Sequence, residues 1–192
     1  MGELVAVEFV TLDGVMQGFH GADERGGFRH SGWGDAYADQ MQVEAALEEM
    51  PSAKAYLLGR RTYEELAQFW PHQPDDNRMA AYLNRTPKFV ATRSLGELAW
   101  PNTTPLEGEL ARAVAELKAT TDGSIVVLGS GELLAQLFAA DLVDGLRLFV
   151  HPLVLGSGRR LLPALDEPLR LRLEDATPTS TGVLMLTYVT DR

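Results

Sequence analysis

The sequence predicts an α/β domain: a mixed, mainly parallel sheet flanked by helices, with antiparallel strands at its C-terminal end. Three observations predict it. Short β-type runs alternate with stretches of helical apolar spacing as far as His151. Two of those runs end in glycine-bearing turns that open directly into helical spacing. The tail holds two extended stretches separated by Thr177-Pro178-Thr179-Ser180-Thr181, the pattern of a terminal antiparallel pair.

Leu4 to Val10 is the first strand, and Thr11-Leu12-Asp13-Gly14 has the composition of a turn. Gly14 to Asp35 is rich in glycine, charge and histidine and has no sustained period; a loop of that length inside a domain is usually functional or mobile. Val43, Ala46, Leu47 and Met50 then mark a helix that stops before Pro51. Ala55 to Leu58 is a strand, and Tyr63, Leu66, Ala67 and Trp70 follow the Gly59 turn at i, i+3, i+4 and i+7. Pro71 to Asp76 forms a loop, Arg78 to Arg85 a short helix, and Lys88 to Ala91 the third strand. Leu106, Leu110, Val114 and Leu117 predict an amphipathic helix, and Ser124 to Leu128 a strand buried on both faces. Leu133, Leu134, Leu137 and Phe138 give the helix behind Gly131. Gly145 to His151 is a strand, and Leu169–Ala176 and Gly182–Thr190 are the closing pair.

At 192 residues and 45% hydrophobic, the chain is long enough for one good core, and a single domain over 1–192 is expected. A formal charge of −10 repels nucleic acid and anionic membranes, so a phosphate ligand has to be held by local groups. The absence of cysteine excludes disulfides, thiolate metal sites and a cysteine nucleophile. His20, His30, His72 and His151 show no metal-ligand spacing, and no metal is expected. Met1-Gly2-Glu3-Leu4 lacks the basic lead and apolar core of a signal peptide, and no apolar run approaches the ~20 residues of a membrane helix; a cytoplasmic protein is expected.

The chemistry concentrates at three strand ends. Gly59-Arg60-Arg61-Thr62 and Gly129-Ser130-Gly131-Glu132 each place glycine where a helix begins. Unpaired N–H groups and the helix dipole favour an anion there, and glycine permits close approach. Two such turns suit a pyrophosphate. Thr92-Arg93-Ser94 ends another strand and offers hydroxyls and a guanidinium to one further phosphate. Together they point to a phosphorylated dinucleotide, most simply NADPH. Glu132-Leu133-Leu134 after Gly131 lacks the third glycine of the Rossmann fingerprint, and no glycine is followed by Lys-Ser or Lys-Thr at P-loop spacing. Taken singly, each glycine is also readable as a plain turn, and Arg60 and Arg61 as solvated charges.

The segments Leu58–Glu64, Val90–Ser94 and Ile125–Leu133 resemble, in order and spacing, the three cofactor segments of the dihydrofolate reductase superfamily. The likeness covers nearly the whole chain. Thr11-Leu12-Asp13-Gly14, Phe69-Trp70-Pro71 and Pro152–Leu162 resemble the bacterial branch related to the C-terminal reductase domain of riboflavin biosynthesis enzymes. The resemblance implies a dihydrofolate reductase-like three-layer fold and an NADPH-dependent reductase acting on a pterin-like or ribosylaminopyrimidine-like substrate. It places Gly59, Arg60, Arg61 and Thr62 along the pyrophosphate and adenosine phosphate, and Thr92, Arg93 and Ser94 at the 2′-phosphate. Gly129, Ser130, Gly131, Glu132 and Leu133 would pass under the pyrophosphate and nicotinamide ribose.

For the substrate side, dihydrofolate reductases use a carboxylate on the first helix shortly after a tryptophan. Here Asp35 or Asp39 after Trp33 is nearest to that place, and each is equally a capping or exposed acid. Asp13 either bonds its own turn or lines the cleft as a proton relay. His151, ending a strand, is the histidine that would face the cleft. Gly156-Ser157-Gly158 adjoins the cleft in the resembling family or is a plain loop, and Arg159 and Arg160 meet a substrate phosphate or solvent. The family also implies a homodimer. The alternative function is an NADP-binding protein of the same fold without efficient turnover, a sensor or ligand store.

Overall fold

Alternation along the first strand fixes the centre of the sheet: Leu4, Ala6 and Val10 are buried on one face, and Glu8 takes the remaining inward position. The computed structural model describes residues 1–192 except 22, 24, 94–97, 163–167 and 192. In chain order its elements are β1 (Glu3–Thr11), α1 (Gln40–Glu49), β2 (Ala53–Gly59), α2 (Arg60–Phe69), α3 (Arg78–Arg85), β3 (Lys88–Ala91), β4 (Thr103–Leu106), α4 (Leu110–Thr120), β5 (Ser124–Leu128), α5 (Gly131–Ala139), β6 (Gly145–His151), β7 (Leu171–Pro178) and β8 (Leu184–Thr190). They form one sheet in the order β4-β3-β2-β5-β1-β6-β8-β7. Every pairing from β4 to β6 is parallel, and β8 runs antiparallel to both of its neighbours.

Helices cover both faces. Leu4, Ala6, Leu57, Ile125, Val127 and Leu146 meet Val114 and Leu117 of α4 and Leu133, Leu134 and Leu137 of α5. On the other face Tyr56, Leu58, Val90 and Val126 pack with Tyr63 of α2, Leu83 of α3 and Trp100. β5 is buried on both faces, as a strand enclosed between two helical layers must be. A third cluster, Val15, Phe28 and Trp33, gives the loop after β1 its own core.

Local chemistry sets the ends of the helices. Asn77 Oδ1 accepts from Ala80 N to start α3, and Pro87 follows its end. Asp39 caps α1 through Met41 N, so that helix begins three residues before the apolar period does. The helix expected from Leu106 starts instead at Leu110. Glu109 accepts from Ala111 N and Arg112 N, and Gly108, at φ +92°, breaks the backbone before it. Leu106 therefore ends β4, a strand the sequence reading does not contain; its Pro105 is tolerated because β4 is an edge.

Lys88 joins α3 to β3. Its side chain is buried, and Nζ donates to the carbonyls of Leu83 (2.7 Å), Asn84 (3.2 Å) and Thr86 (2.8 Å) while lying over the Trp100 ring. Among the described residues, no helix is long and apolar enough to cross a membrane.

Candidate active site

A groove of about 1830 Å³ crosses the carboxyl ends of the parallel strands, where an open α/β sheet holds its ligands. Its origin lies in the pairing. β1 and β5 run together only as far as Val7 and Leu128. Beyond that point β1 continues along β6 alone, and β5 turns away into α5.

The turn itself takes two consecutive left-handed residues, Gly129 at φ 54° and Ser130 at φ 68°. Ser130 is held in that conformation by its hydroxyl, which donates to Leu128 O (3.0 Å) and accepts from Gly59 N (2.9 Å). One side chain thus binds the end of β2 to the end of β5 and brings the two glycine turns together. Thr62 closes the junction: a Cβ on Gly129 would lie 3.4 Å from its Cγ2. Gly131 opens α5 with ordinary helical backbone, and a Cβ there would meet Met16 Sδ at 2.4 Å.

Gly59, Arg60, Arg61, Thr62, Thr92, Arg93, Gly129, Ser130, Gly131, Glu132 and Leu133 all line this groove. Ser94 lies outside the described residues. Arg159 and Arg160 line it as well, so a strongly acidic chain gathers guanidinium groups around the groove. Glu132 at the start of α5 gathers two of them, with Arg159 Nη1 at 2.8 Å and Arg61 Nη1 at 3.5 Å from its Oε1.

Aromatic rings floor the other end. Phe9 stacks on Phe19 (4.2 Å between centroids) and on Phe149 (4.5 Å), and all three line the groove. Trp33 and His151 stand behind Phe19, at 5.1 and 5.3 Å, and neither reaches the groove wall. Trp33 Nε1 donates to Gln17 O at 2.7 Å. His151 Nδ1 faces two acceptors, Phe149 O and Val10 O, so the proton belongs on Nδ1; Nε2 is buried without a partner, and burial lowers the ring's pKa.

The carboxylates are dispersed. Asp35 is exposed and does not line the groove itself, but pairs at 2.9 Å with Nδ1 of His20, which does. Asp39 lines the groove, but its oxygens are taken by Met41 N, Ser180 Oγ and Thr181 N, bonds that lower its pKa, Ser180 most. Asp13 is not on the groove wall. Its carboxylate accepts from Thr11 Oγ1 (2.6 Å), Gly156 N (2.9 Å) and Leu155 N (3.2 Å), and Arg160 Nε donates to its carbonyl at 2.8 Å. Those contacts tie the first turn to the 155–160 loop. The bond from Thr11 is the main reason its pKa is held down to about 2.

A carboxyl with that value is ionised at neutral pH, which suits the loop-bonding reading of Asp13. The native state favours the carboxylate, so the tie contributes stability above the ordinary value of 3.8 and loses it as the pH falls toward about 2. Asp13→Asn is expected to remove this acid dependence and to speed amide exchange at Leu155 and Gly156, measured by hydrogen exchange.

Two groove features escape a motif search. Phe19 lies in an aperiodic loop and reaches Phe9 only through the fold. Glu8 had a visible signal, a carboxyl at an inward position among Leu4, Ala6 and Val10.

Comparison with known proteins agrees with this architecture. A protein of Shewanella sp. PV-4 named for riboflavin biosynthesis superposes with a TM-score of 0.76 at 20% identity, covering 99% of both chains. A pyrimidine reductase-like protein of Corynebacterium diphtheriae gives 0.65 at 14% identity, over 99% of this chain and 92% of that one. Dihydrofolate reductase of Enterococcus faecalis, solved in complex with NADP(H) and RAB-propyl, gives 0.62 at 15% identity, over 99% and 97%. The fold is therefore dihydrofolate reductase-like. In sequence, the uncharacterized protein YyaP of Bacillus subtilis (strain 168) is 24% identical over 135 residues, 69% of this chain and 71% of that protein. The family model of the RibD C-terminal domain matches residues 3–185, and the chain belongs to that family.

Proposed function

We propose that this chain is an NADPH-dependent reductase that delivers hydride to a pterin-like or ribosylaminopyrimidine-like heterocycle. The observation that carries the reading is the Ser130–Gly59 hydrogen bond, which unites both glycine turns in a groove that runs on to a floor of stacked aromatic rings. The family and the fold of its relatives support the same class of chemistry.

NADPH supplies hydride from its nicotinamide ring when bound. The chain's part is to hold, align and exclude water. Backbone N–H groups opening α2 and α5, with Thr62, suit the pyrophosphate, while the Ser130 hydroxyl holds the two turns together; Thr92 and Arg93 suit the 2′-phosphate. The Phe9, Phe19 and Phe149 stack supplies an apolar aromatic wall for a heterocycle, with Phe9 as its covered middle ring. Asp13, ionised and engaged, holds loops in this scheme, and the substrate proton comes from solvent in the groove. A homodimer remains part of the proposal on family grounds.

The test is NADPH oxidation, followed by absorbance, against panels of pterins and ribosylaminopyrimidines. Turnover with a member of either class is expected. Binding without turnover across both favours a sensor or ligand store, a reading supported by the commitment of Asp13 and Asp39 to loop contacts. Arg93→Ala is expected to weaken NADPH by about 10- to 100-fold, the worth of a charged hydrogen bond or two, and to leave NADH unchanged. Titration of both dinucleotides checks it.

A further inference from the structure

Glu8 is the first residue of β1 beyond its ladder with β5, the point at which the sheet splits and the groove begins. It lines that groove, yet the residue is only 2% exposed. Its strand neighbours on the same face, Ala6 and Val10, belong to the apolar cluster under α5, and its register partner across the sheet is Leu148. Met16, Leu133 and Leu161 of that cluster also reach the groove wall. Oε1 has no hydrogen-bond partner.

An unpaired acid buried on a central strand is costly, and an apolar residue of similar volume would stabilise the fold. Burial raises its pKa well above the ordinary value, which favours the protonated carboxyl. In that form it offers one O–H donor beside one C=O acceptor. Its complement is an amide edge: an N–H and a carbonyl side by side, closing a ring of two hydrogen bonds.

The geometry points to Glu8 as the anchor of an amide edge on the ligand that enters the split between β1 and β5. This rests on the reductase reading, which supplies two sources of that chemistry: the carboxamide of a nicotinamide ring and the lactam of a heterocyclic substrate. The same carboxyl selects for either over a ring bearing a ketone or an unsubstituted carbon at that edge.

Calorimetric titration of wild type, Glu8→Leu and Glu8→Gln tests it with four probes: NADPH, its acetylpyridine analogue, adenosine 2′,5′-bisphosphate, and diaminouracil added to the NADP⁺-loaded protein. Glu8→Leu is expected to lose about 10- to 100-fold in affinity for the ligand with the amide edge, two buried hydrogen bonds' worth. Its affinity for the adenosine bisphosphate is expected to stay within about twofold, because that fragment carries no such edge. Glu8→Gln, which keeps one donor and one acceptor, is expected to retain most of the affinity. A loss with NADPH that vanishes with the acetylpyridine analogue assigns the edge to the cofactor; a loss with diaminouracil alone assigns it to the substrate.

Glu8→Leu is also expected to melt at or above the wild-type temperature. If it does not fold, difference infrared spectroscopy decides: the protonated-carboxyl band of wild type, absent from Glu8→Gln, must shift when the ligand binds. Unchanged affinity of Glu8→Leu for both NADPH and diaminouracil, or an unshifted band, overturns the role of Glu8. Wild type that binds neither NADPH nor adenosine bisphosphate overturns the reductase reading beneath it.

Discussion

Gly131→Val is expected to abolish NADPH binding, by about 100-fold or more, while leaving the protein folded; that is the cost of losing two charge-assisted contacts at a helix N-terminus. The position has helical rather than left-handed backbone, so a side chain there brings no conformational strain. What it meets is the Met16 thioether, 2.4 Å from where Cβ would stand. Met16 is flexible and can withdraw, which preserves the fold. The branched side chain then fills the first turn of α5, where the backbone N–H groups face the groove. Titration with NADPH, set beside a thermal melt, separates this local obstruction from unfolding. A valine variant that melts like wild type and binds like wild type would remove α5 from the cofactor site.

Lys88→Met is expected to destabilise the fold by about 2–4 kcal/mol with no direct effect on the groove, since it strands two buried carbonyls, those of Leu83 and Thr86, while the Asn84 carbonyl keeps Asn102 Nδ2. Leu83, Asn84 and Thr86 all give their carbonyl oxygens to Nζ, and no methionine atom replaces those donors. Burial pulls the Lys88 pKa down from 10.5 to about 8. The sign follows from the protons bound. Between about pH 8 and 10.5 the unfolded chain holds more of them, so this residue makes stability rise with pH across that window. Chemical denaturation at a series of pH values is expected to show both effects, a lower midpoint in Lys88→Met and the loss of this alkaline gain.

Much of the fold was legible because its signals are local. Arg78–Arg85 is read with the bounds of α3, Gly59 and Gly131 mark the starts of α2 and α5, and the apolar run Ile125–Leu128 reports a strand covered on both sides. β4 was not legible: four residues containing Pro105 carry no strand pattern, and Leu106 falls in period with Leu110 by coincidence. What makes it a strand is pairing with β3, a tertiary fact.

The site divides in the same way. Turn chemistry singles out Gly59, Arg93 and Ser130 at strand ends, and all three line the groove. The hydroxyl bridge from Ser130 to Gly59 spans 71 positions and has no sequence signature. The aromatic end depends on contacts between distant rings, so Trp33 and His151, drawn from a short motif and a strand end, stand behind the floor that Phe9, Phe19 and Phe149 make.

The placement of β1 between β5 and β6 governs how the chain reaches this state. Glu3 pairs with Ser124 and Val5 with Gly145, so the innermost strand has no partner on either side until most of the polypeptide is present. Contacts that distant close large loops before they return any stability, and topologies dominated by them cross their folding barrier slowly. Until that closure, the apolar stretch Leu4–Val10 offers two bare strand edges, and it is there that a refolding mixture at high concentration will self-associate.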